Sequence, residues 1–277
     1  MSGDDAVLVL GGSGQVGASI LKRLGAAGRP AVALCRRPPS DAAYGAEWLA
    51  SDLTQPLDLR GRRISAAIHA SSAWLLPAHL ATLSEAGAQR LVCFSSTSML
   101  AKANSPSSAE RATAERLAAA EKAVAEGPIA WTVLRPTLIY GFGRDANITA
   151  AARFISRWRF FPLAGPGKGL RQPVHADDLG AAAVRLIGEN TEAGKAFNIG
   201  GGETMTYREM IERIFTVLDM RPRFLRLAAL GAVPGRIGAM ARRMEQDLVF
   251  DQGEVWHRLG LTPRKFLAAG LADLGGS

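Results

Sequence analysis

Tyrosine and cysteine are scarce in this chain of 277 residues, with three of the first and two of the second. None of the tyrosines (Tyr44, Tyr140, Tyr207) has a lysine four residues on; Trp48, Arg144 and Ile211 stand there instead. That excludes a phenol activated by an ammonium group one helical turn away. Cys35 and Cys93 each lie inside an apolar run, so buried reduced thiols are expected rather than a disulfide, and with them a cytoplasmic setting. No cluster of cysteine and histidine has the spacing of metal ligands, and no metal is expected. No uncharged apolar stretch reaches the roughly 18 residues of a membrane span. The acidic start, with Asp4 and Asp5, does not resemble a secretion signal. Aromatic side chains are not interleaved with the basic ones, so no nucleic-acid partner is expected.

What is present is concentrated near the N-terminus. Val7-Leu8-Val9-Leu10 is an unbroken apolar run of the kind buried on both faces of a parallel sheet. Gly11-Gly12-Ser13-Gly14-Gln15-Val16-Gly17 follows, with glycines at 11, 14 and 17. The first allows a tight turn, the second lets backbone approach a pyrophosphate, and the third lets helix pack on strand. Ala18 to Leu24 reads as that helix, ended by Gly25 or Gly28. A helix N-terminus aimed at such a loop offers N–H groups and positive potential to phosphate. The second strand, Pro30 to Cys35, ends in Arg36-Arg37, where an NAD site carries an acid for the ribose 2′-hydroxyl. Arginine pairs with a 2′-phosphate, so NADP(H) is favoured over NAD(H), with Arg36 the expected partner and Arg37 beside it.

Strand and helix patterns alternate along the first half. Glu47–Leu49, Ile64–Ala70, Arg90–Phe94 and Ala130–Leu134 read as strands, and 78–87 and 109–126 as helices. The expected architecture is α/β: a Rossmann-type doubly wound parallel sheet over 1–145, with core strands returning from about 170–200, and a smaller C-terminal substrate or partner lobe over 146–277. Phe160 to Gly169 reads as a loop. The net charge is +8. Arg221, Arg223, Arg226, Arg236, Arg242 and Arg243 form a run without an acid. It reads as a solvated face, with contact to a membrane surface or an acidic partner as the alternative.

The ordered motifs resemble the extended branch of the short-chain dehydrogenase/reductase family, the sugar epimerases and dehydratases, and specifically its atypical members. Gly11 to Gly17 matches the cofactor loop. Ser51-Asp52-Leu53 resembles the segment whose Asp contacts adenine, although Asp also suits a helix cap. His69-Ala70-Ser71-Ser72 follows the fourth strand, where relatives run backbone along the cofactor ribose. Phe94-Ser95-Ser96-Thr97-Ser98 matches the serine/threonine site that hydrogen-bonds substrate. Leu134 to Gly141, with Arg135, Pro136 and Thr137, looks like the Arg-Pro motif near the nicotinamide. Arg171 to Leu179 looks like the motif opening the helix after the substrate loop, and Phe197 to Gly201 like the strand leading into the last lobe. The resemblance implies cofactor contacts from Gly11, Ser13, Gly14, Gln15, Val16, Gly17, Asp52, Leu53, His69, Ala70, Ser71, Phe94, Ser95, Pro136 and Thr137. It implies substrate contacts from Arg144, Asn147, Arg171 and His175.

The departure is in the chemistry. Counting back from Arg135 puts Thr113 and Leu117 where the family carries its catalytic tyrosine and lysine. One expectation is an NADP(H)-dependent reductase of atypical mechanism acting on a small carbonyl, enone or quinone, with Ser96 and Thr97 binding the acceptor oxygen and Tyr140 or His175 supplying a proton. A second is a non-catalytic NADP(H)-binding redox sensor, or an assembly subunit of a respiratory-type complex, with a regulatory protein partner. A third is a nucleotide-sugar epimerase with substituted acid–base groups.

Overall fold

The computed structural model describes residues 6–39, 43–188, 192–226 and 236–275. The chain forms two compact units, the first made of 1–136, 177–199 and 252–261, and the second of 137–176, 200–251 and 262–277.

The first unit is built on a seven-stranded sheet. Its strands are β1 (Ala6–Leu10), β2 (Ala31–Cys35), β3 (Glu47–Ala50), β4 (Ile64–His69), β5 (Arg90–Phe94), β6 (Ala130–Pro136) and β11 (Lys195–Ile199). Their spatial order is β11-β6-β5-β4-β1-β2-β3, and every neighbouring pair is parallel. Residues in β2 and β5 are buried throughout, which is why those segments read as continuous apolar runs rather than alternating ones. Helices α1 (Gln15–Ala26), α2 (Leu80–Glu85), α3 (Ser98–Ala101), α4 (Ser108–Ala125), α6 (Ala176–Gly188) and α9 (Val255–Arg258) accompany it. The chain winds outward through β1, β2 and β3, then returns to place β4 against the other side of β1. That reversal is the switch point at which doubly wound sheets bind ligands, outside the carboxyl ends of the strands.

Two local features fix α1 there. Ser19 donates to Asp177 Oδ1 at 2.7 Å and Arg23 to Asp177 Oδ2 at 2.8 Å, tying α1 to the first turn of α6. Gly180 in α6 lies so close to α1 that a Cβ on it would sit 2.2 Å from Ser19 Oγ. Gly25 lies inside α1; the helix ends at Ala26 with Ala27 as its C-cap, and Gly28 takes the left-handed conformation after it, with φ +62°.

The second unit has its own core around Ile155, Leu163, Ile211, Ile214 and Phe215. Its helices are α5 (Ile148–Trp158), α7 (Tyr207–Val217) and α8 (Arg236–Glu245). Short strands pair two by two: β7 (Leu138–Tyr140) with β10 (Pro173–His175), β8 (Phe161–Leu163) with β13 (Phe224–Arg226), and β9 (Leu170–Arg171) with β12 (Met205–Thr206). The stretch 160–169 is therefore not wholly a loop, because β8 is held by a partner more than sixty residues away, beyond any local signal. A capping box, Thr206 with Glu209, starts α7. Of the basic run over 221–243, Arg221, Arg223, Arg226 and Arg242 are exposed, and 227–235 lies outside the described residues. Among the described residues, no helix is long and apolar enough to cross a membrane.

Candidate functional site

The glycine loop sits at the switch point. Gly11 has φ +87°, a conformation that other residues enter at a cost, and a Cβ on it would lie 3.0 Å from Ala70 O after β4. Gly17 is held by space rather than by φ. Its Cβ would fall 2.3 Å from Gly11 O and 2.8 Å from Gly12 Cα, both backbone atoms. Gly14 is the N-cap of α1, exposed, with no side-chain cap and no acid in the first turn. The first-turn N–H groups of a helix have no partner within it. Gln15 adds a buried Oε1 without a hydrogen-bond partner, Val16 is buried, and Ser13 is exposed. A bare, uncapped helix N-terminus and a glycine turn suit the phosphates of a nucleotide cofactor, whereas the Gln15 amide oxygen, an acceptor, suits a donor such as a hydroxyl.

Around the loop, Arg36 and Arg37 are exposed directly after β2. The Asp52 carboxyl is held below its usual range by the Thr54 N–H and hydroxyl, which outweigh slight desolvation, with a smaller contribution from the Arg36 charge. It forms a local turn, accepting from Thr54 N at 3.0 Å and Thr54 Oγ1 at 2.9 Å. Leu53 O takes a 2.9 Å hydrogen bond from the His79 ring. His69 closes β4 fully buried, with neither ring nitrogen partnered. Burial, reinforced by the nearby His79, depresses its pKa to about 3, so it is neutral.

Beside these residues lies a cavity of about 350 Å³ in the first unit. Five serines line it: Ser71 and Ser72 after β4, and Ser95, Ser96 and Ser98 after β5. Trp74 and Phe94 form apolar wall, with the Arg116 guanidinium 4.3 Å over the Trp74 ring. Thr113 and Leu117 of α4 complete it. The two positions that the sequence count assigns to the missing tyrosine and lysine thus face the serine loop. Thr113 Oγ1 donates to Ala109 O at 2.9 Å, and Leu117 is apolar and buried.

One turn further along the same face of α4 is Glu121, a residue the sequence-derived site omits. Its carboxylate accepts from Ser95 Oγ at 2.5 Å and from Arg135 Nε and Nη2 at 3.0 and 2.5 Å. The ion pair is well shielded, the side chains being 10% and 21% exposed. The i+4 spacing from Leu117 was the available sign, but nothing local shows that Arg135 turns toward it. Burial, and then the Glu121 charge, push the Cys93 thiol up, and both cysteines are buried and unpaired.

The hydroxyls divide by orientation. Ser96 Oγ accepts from Ser98 N at 3.1 Å, and Ser96 is half-buried on the cavity. Thr97 is buried and donates to Pro136 O at 3.1 Å, and it does not line the cavity. Pro136 is itself buried.

The remaining residues belong to the second unit. Thr137 donates to Gln172 O. Tyr140 is fully buried, donating to Lys265 O at 3.4 Å and accepting from Leu267 N at 3.2 Å. His175, also buried, meets Asp273 at 3.3 Å and stacks edge-on with Tyr140 and Phe142. Burial raises the Asp273 pKa, but the His175 hydrogen bond, the Ala269 N–H and the charges of His175 and Arg264 outweigh it, leaving the carboxyl below its usual range. Arg171 is buried and donates to the carbonyls of Leu170, Gln246 and Arg243, and burial lowers its pKa. Arg144 and Asn147 are exposed, Asn147 at the start of α5, where Asp145 accepts from Asn147 N and Thr149 N at 3.0 Å each. Among the described residues, no cluster of His, Cys, Asp or Glu could hold a metal ion.

The sheet order and the glycine loop define a nucleotide-binding α/β protein of the doubly wound class. The profile of the NAD dependent epimerase/dehydratase family matches residues 63–200, so the chain carries a domain of that family. Among curated proteins, it is similar to the NADH dehydrogenase [ubiquinone] 1 alpha subcomplex subunit 9 of Arabidopsis thaliana mitochondria, 31% identical over 46% of this chain and 31% of that one. It is also similar to the dTDP-glucose 4,6-dehydratase of Streptomyces griseus, 33% identical over 61% and 48% of the two chains. The chain thus spans less than half the length of either. Among solved structures, MoeE5 in complex with UDP-glucose and NAD has the same fold, with a TM-score of 0.71 and 22% identity over 97% of both chains.

Proposed function

We propose that this protein binds NADP(H) in preference to NAD(H) along the switch point of the first unit, and that it is an oxidoreductase acting on a small carbonyl, enone or quinone without a tyrosine–lysine pair. The observation that carries this reading is the serine-lined cavity beside the uncapped glycine loop, with Thr113 and Leu117 on its α4 wall. Gly11, Ser13, Gly14, Gln15, Val16 and Gly17 hold the pyrophosphate, and Arg36 pairs with the 2′-phosphate. The bound nicotinamide supplies the hydride. The acceptor oxygen takes its hydrogen bond from Ser96, the hydroxyl whose lone pair is already used by Ser98 N–H and whose proton is left for the cavity. As charge develops on that oxygen, a proton reaches it from solvent through Ser96. Thr97 and Tyr140 support backbone instead, because their hydroxyls are engaged by Pro136 and by Lys265 and Leu267.

A second reading, a non-catalytic NADP(H)-binding sensor or assembly subunit, is favoured by the apolar Leu117 and the committed Thr113 hydroxyl, and by the likeness to the Arabidopsis subunit. Contact with an acidic partner or membrane surface through the exposed arginines of 221–243 belongs to it. The likeness to the dehydratase supports the lesser alternative of nucleotide-sugar chemistry. The buried, unpaired thiols suit a reducing compartment such as the cytoplasm. Oxidation of NADPH is followed with menadione, cyclohexenone and phenanthrenequinone. The reductase reading expects turnover with at least one, reduced about 10²-fold in Ser96→Ala. Tight NADPH binding without turnover on any of them moves the assignment to the sensor.

A further inference from the structure

The hydrogen-bond directions around Ser95 are fixed from the side away from the cavity. A carboxylate accepts only and a guanidinium donates only. Arg135 occupies both Glu121 oxygens, with Nε 3.0 Å from each, so the proton in the 2.5 Å contact between Ser95 Oγ and Glu121 Oε1 belongs to Ser95. Ser95 therefore turns lone pairs, not a proton, toward the cavity it lines. Its neighbour is set the other way, since Ser98 N–H at 3.1 Å takes a Ser96 lone pair and leaves the Ser96 proton free for the cavity.

We infer that Glu121 is a positioning residue that makes the adjacent serines an acceptor–donor pair, and that this pair takes the carboxamide of the nicotinamide, N–H to Ser95 and C=O to Ser96. The inference rests on the dinucleotide reading above and assigns one end of that ligand. A primary carboxamide carries a donor and an acceptor side by side on one plane, the complement of what Ser95 and Ser96 present. A methyl ketone in its place offers no donor, and leaves the Ser95 lone pairs facing a methyl group in a partly desolvated site. Ser96 serves the carboxamide in the resting complex and the acceptor oxygen on turnover. The cavity lining adjoins the glycine loop, because Ser71 Cβ lies 3.1 Å from where a Gly11 Cβ would stand.

The test uses calorimetric titration with two nucleotides that differ only at this group: NADP⁺, and its 3-acetylpyridine analogue, in which methyl replaces the amide nitrogen. The wild-type chain is expected to bind NADP⁺ about tenfold more tightly than the analogue. Ser95→Ala should bring the ratio near one. In Glu121→Gln, Arg135 keeps the amide oxygen, so the amide N–H points at Ser95, whose proton turns to the cavity; the ratio should fall to one or below. Each ratio is taken within one variant, so a general loss of stability does not imitate it. A wild-type ratio of one, with both nucleotides bound, overturns the inference and leaves the cofactor reading intact. A tenfold ratio kept in Glu121→Gln overturns the role of Glu121. Failure of both nucleotides to bind refutes the inference and the cofactor reading together.

Discussion

Gly17→Ala adds one methyl group at the tightest point of the glycine loop. The new Cβ would stand 2.3 Å from Gly11 O, whereas ordinary contact begins at 3.4 Å, so helix and loop must part by about 1 Å. Neither atom it meets is the end of a flexible side chain; Gly11 O and Gly12 Cα are both backbone. Overpacking of this kind costs about 1–3 kcal/mol, and the all-backbone clash places it near the upper end. Replacing glycine by alanine inside a helix returns up to about 1 kcal/mol. The net loss is about 2 kcal/mol, which lowers the melting temperature by roughly 4–8 °C in a domain of this size. Separating α1 from the loop also displaces its first-turn N–H groups, so NADP⁺ affinity should fall about tenfold or more. Gly188→Ala is the control: nothing stands within 4 Å of its Cβ at the end of α6, so it should be neutral or slightly stabilising. Thermal denaturation and nucleotide titration on both variants decide the matter. A Gly17→Ala protein as stable as Gly188→Ala, with unchanged affinity, would refute the packing argument.

Arg36→Glu should weaken NADPH far more than NADH, by about 100-fold against less than threefold, on losing a charge-assisted pair and gaining repulsion; equal losses would remove Arg36 from the 2′-phosphate. Burial depresses the His69 pKa to about 3 in the folded chain, against an unfolded value near 6.5. Between those values the unfolded chain binds the extra proton, so stability should fall with decreasing pH by up to about 1.4 kcal/mol per unit, and remain flat in this respect above about pH 7. His69→Gln should remove that slope in denaturant titrations run from pH 7 to 4. Tyr140→Phe should cost about 1–2 kcal/mol of stability through the lost bonds to Lys265 and Leu267. It should leave NADPH oxidation unchanged, and a fall in turnover at unchanged stability would return Tyr140 to the chemistry.

Elements with local causes were legible in the sequence. β5 spans Arg90–Phe94, as its apolar run predicts, and α4 covers 108–125 against an expected 109–126. The loop from Gly11 to Gly17 could be read because Gly14 and Gly17 both answer to Gly11 a few residues away, although Gly11 itself abuts Ala70 after β4. Features joining distant segments could not. β8 needs β13, and His175 finds Asp273 near the other end of the chain. The serine loop was recognisable, but not which hydroxyl faced where: Thr97 turns to a backbone carbonyl, and Ser95 to a carboxylate that only the docking of α4 on the sheet brings near. The resemblance puts Arg171 at the substrate, yet its guanidinium is engaged by three backbone carbonyls.

The central claim is that the uncapped N-terminus of α1 and the arginines after β2 hold NADP(H). Calorimetric titration of the purified chain with NADP⁺, NADPH, NAD⁺ and NADH tests it most directly, with Gly14→Asp as the blocked control. The account predicts saturable binding with NADP(H) preferred at least tenfold and lost in the variant, because a carboxylate at that N-cap both fills the approach and repels phosphate. Binding to none of the four, or affinity that survives Gly14→Asp, would contradict it.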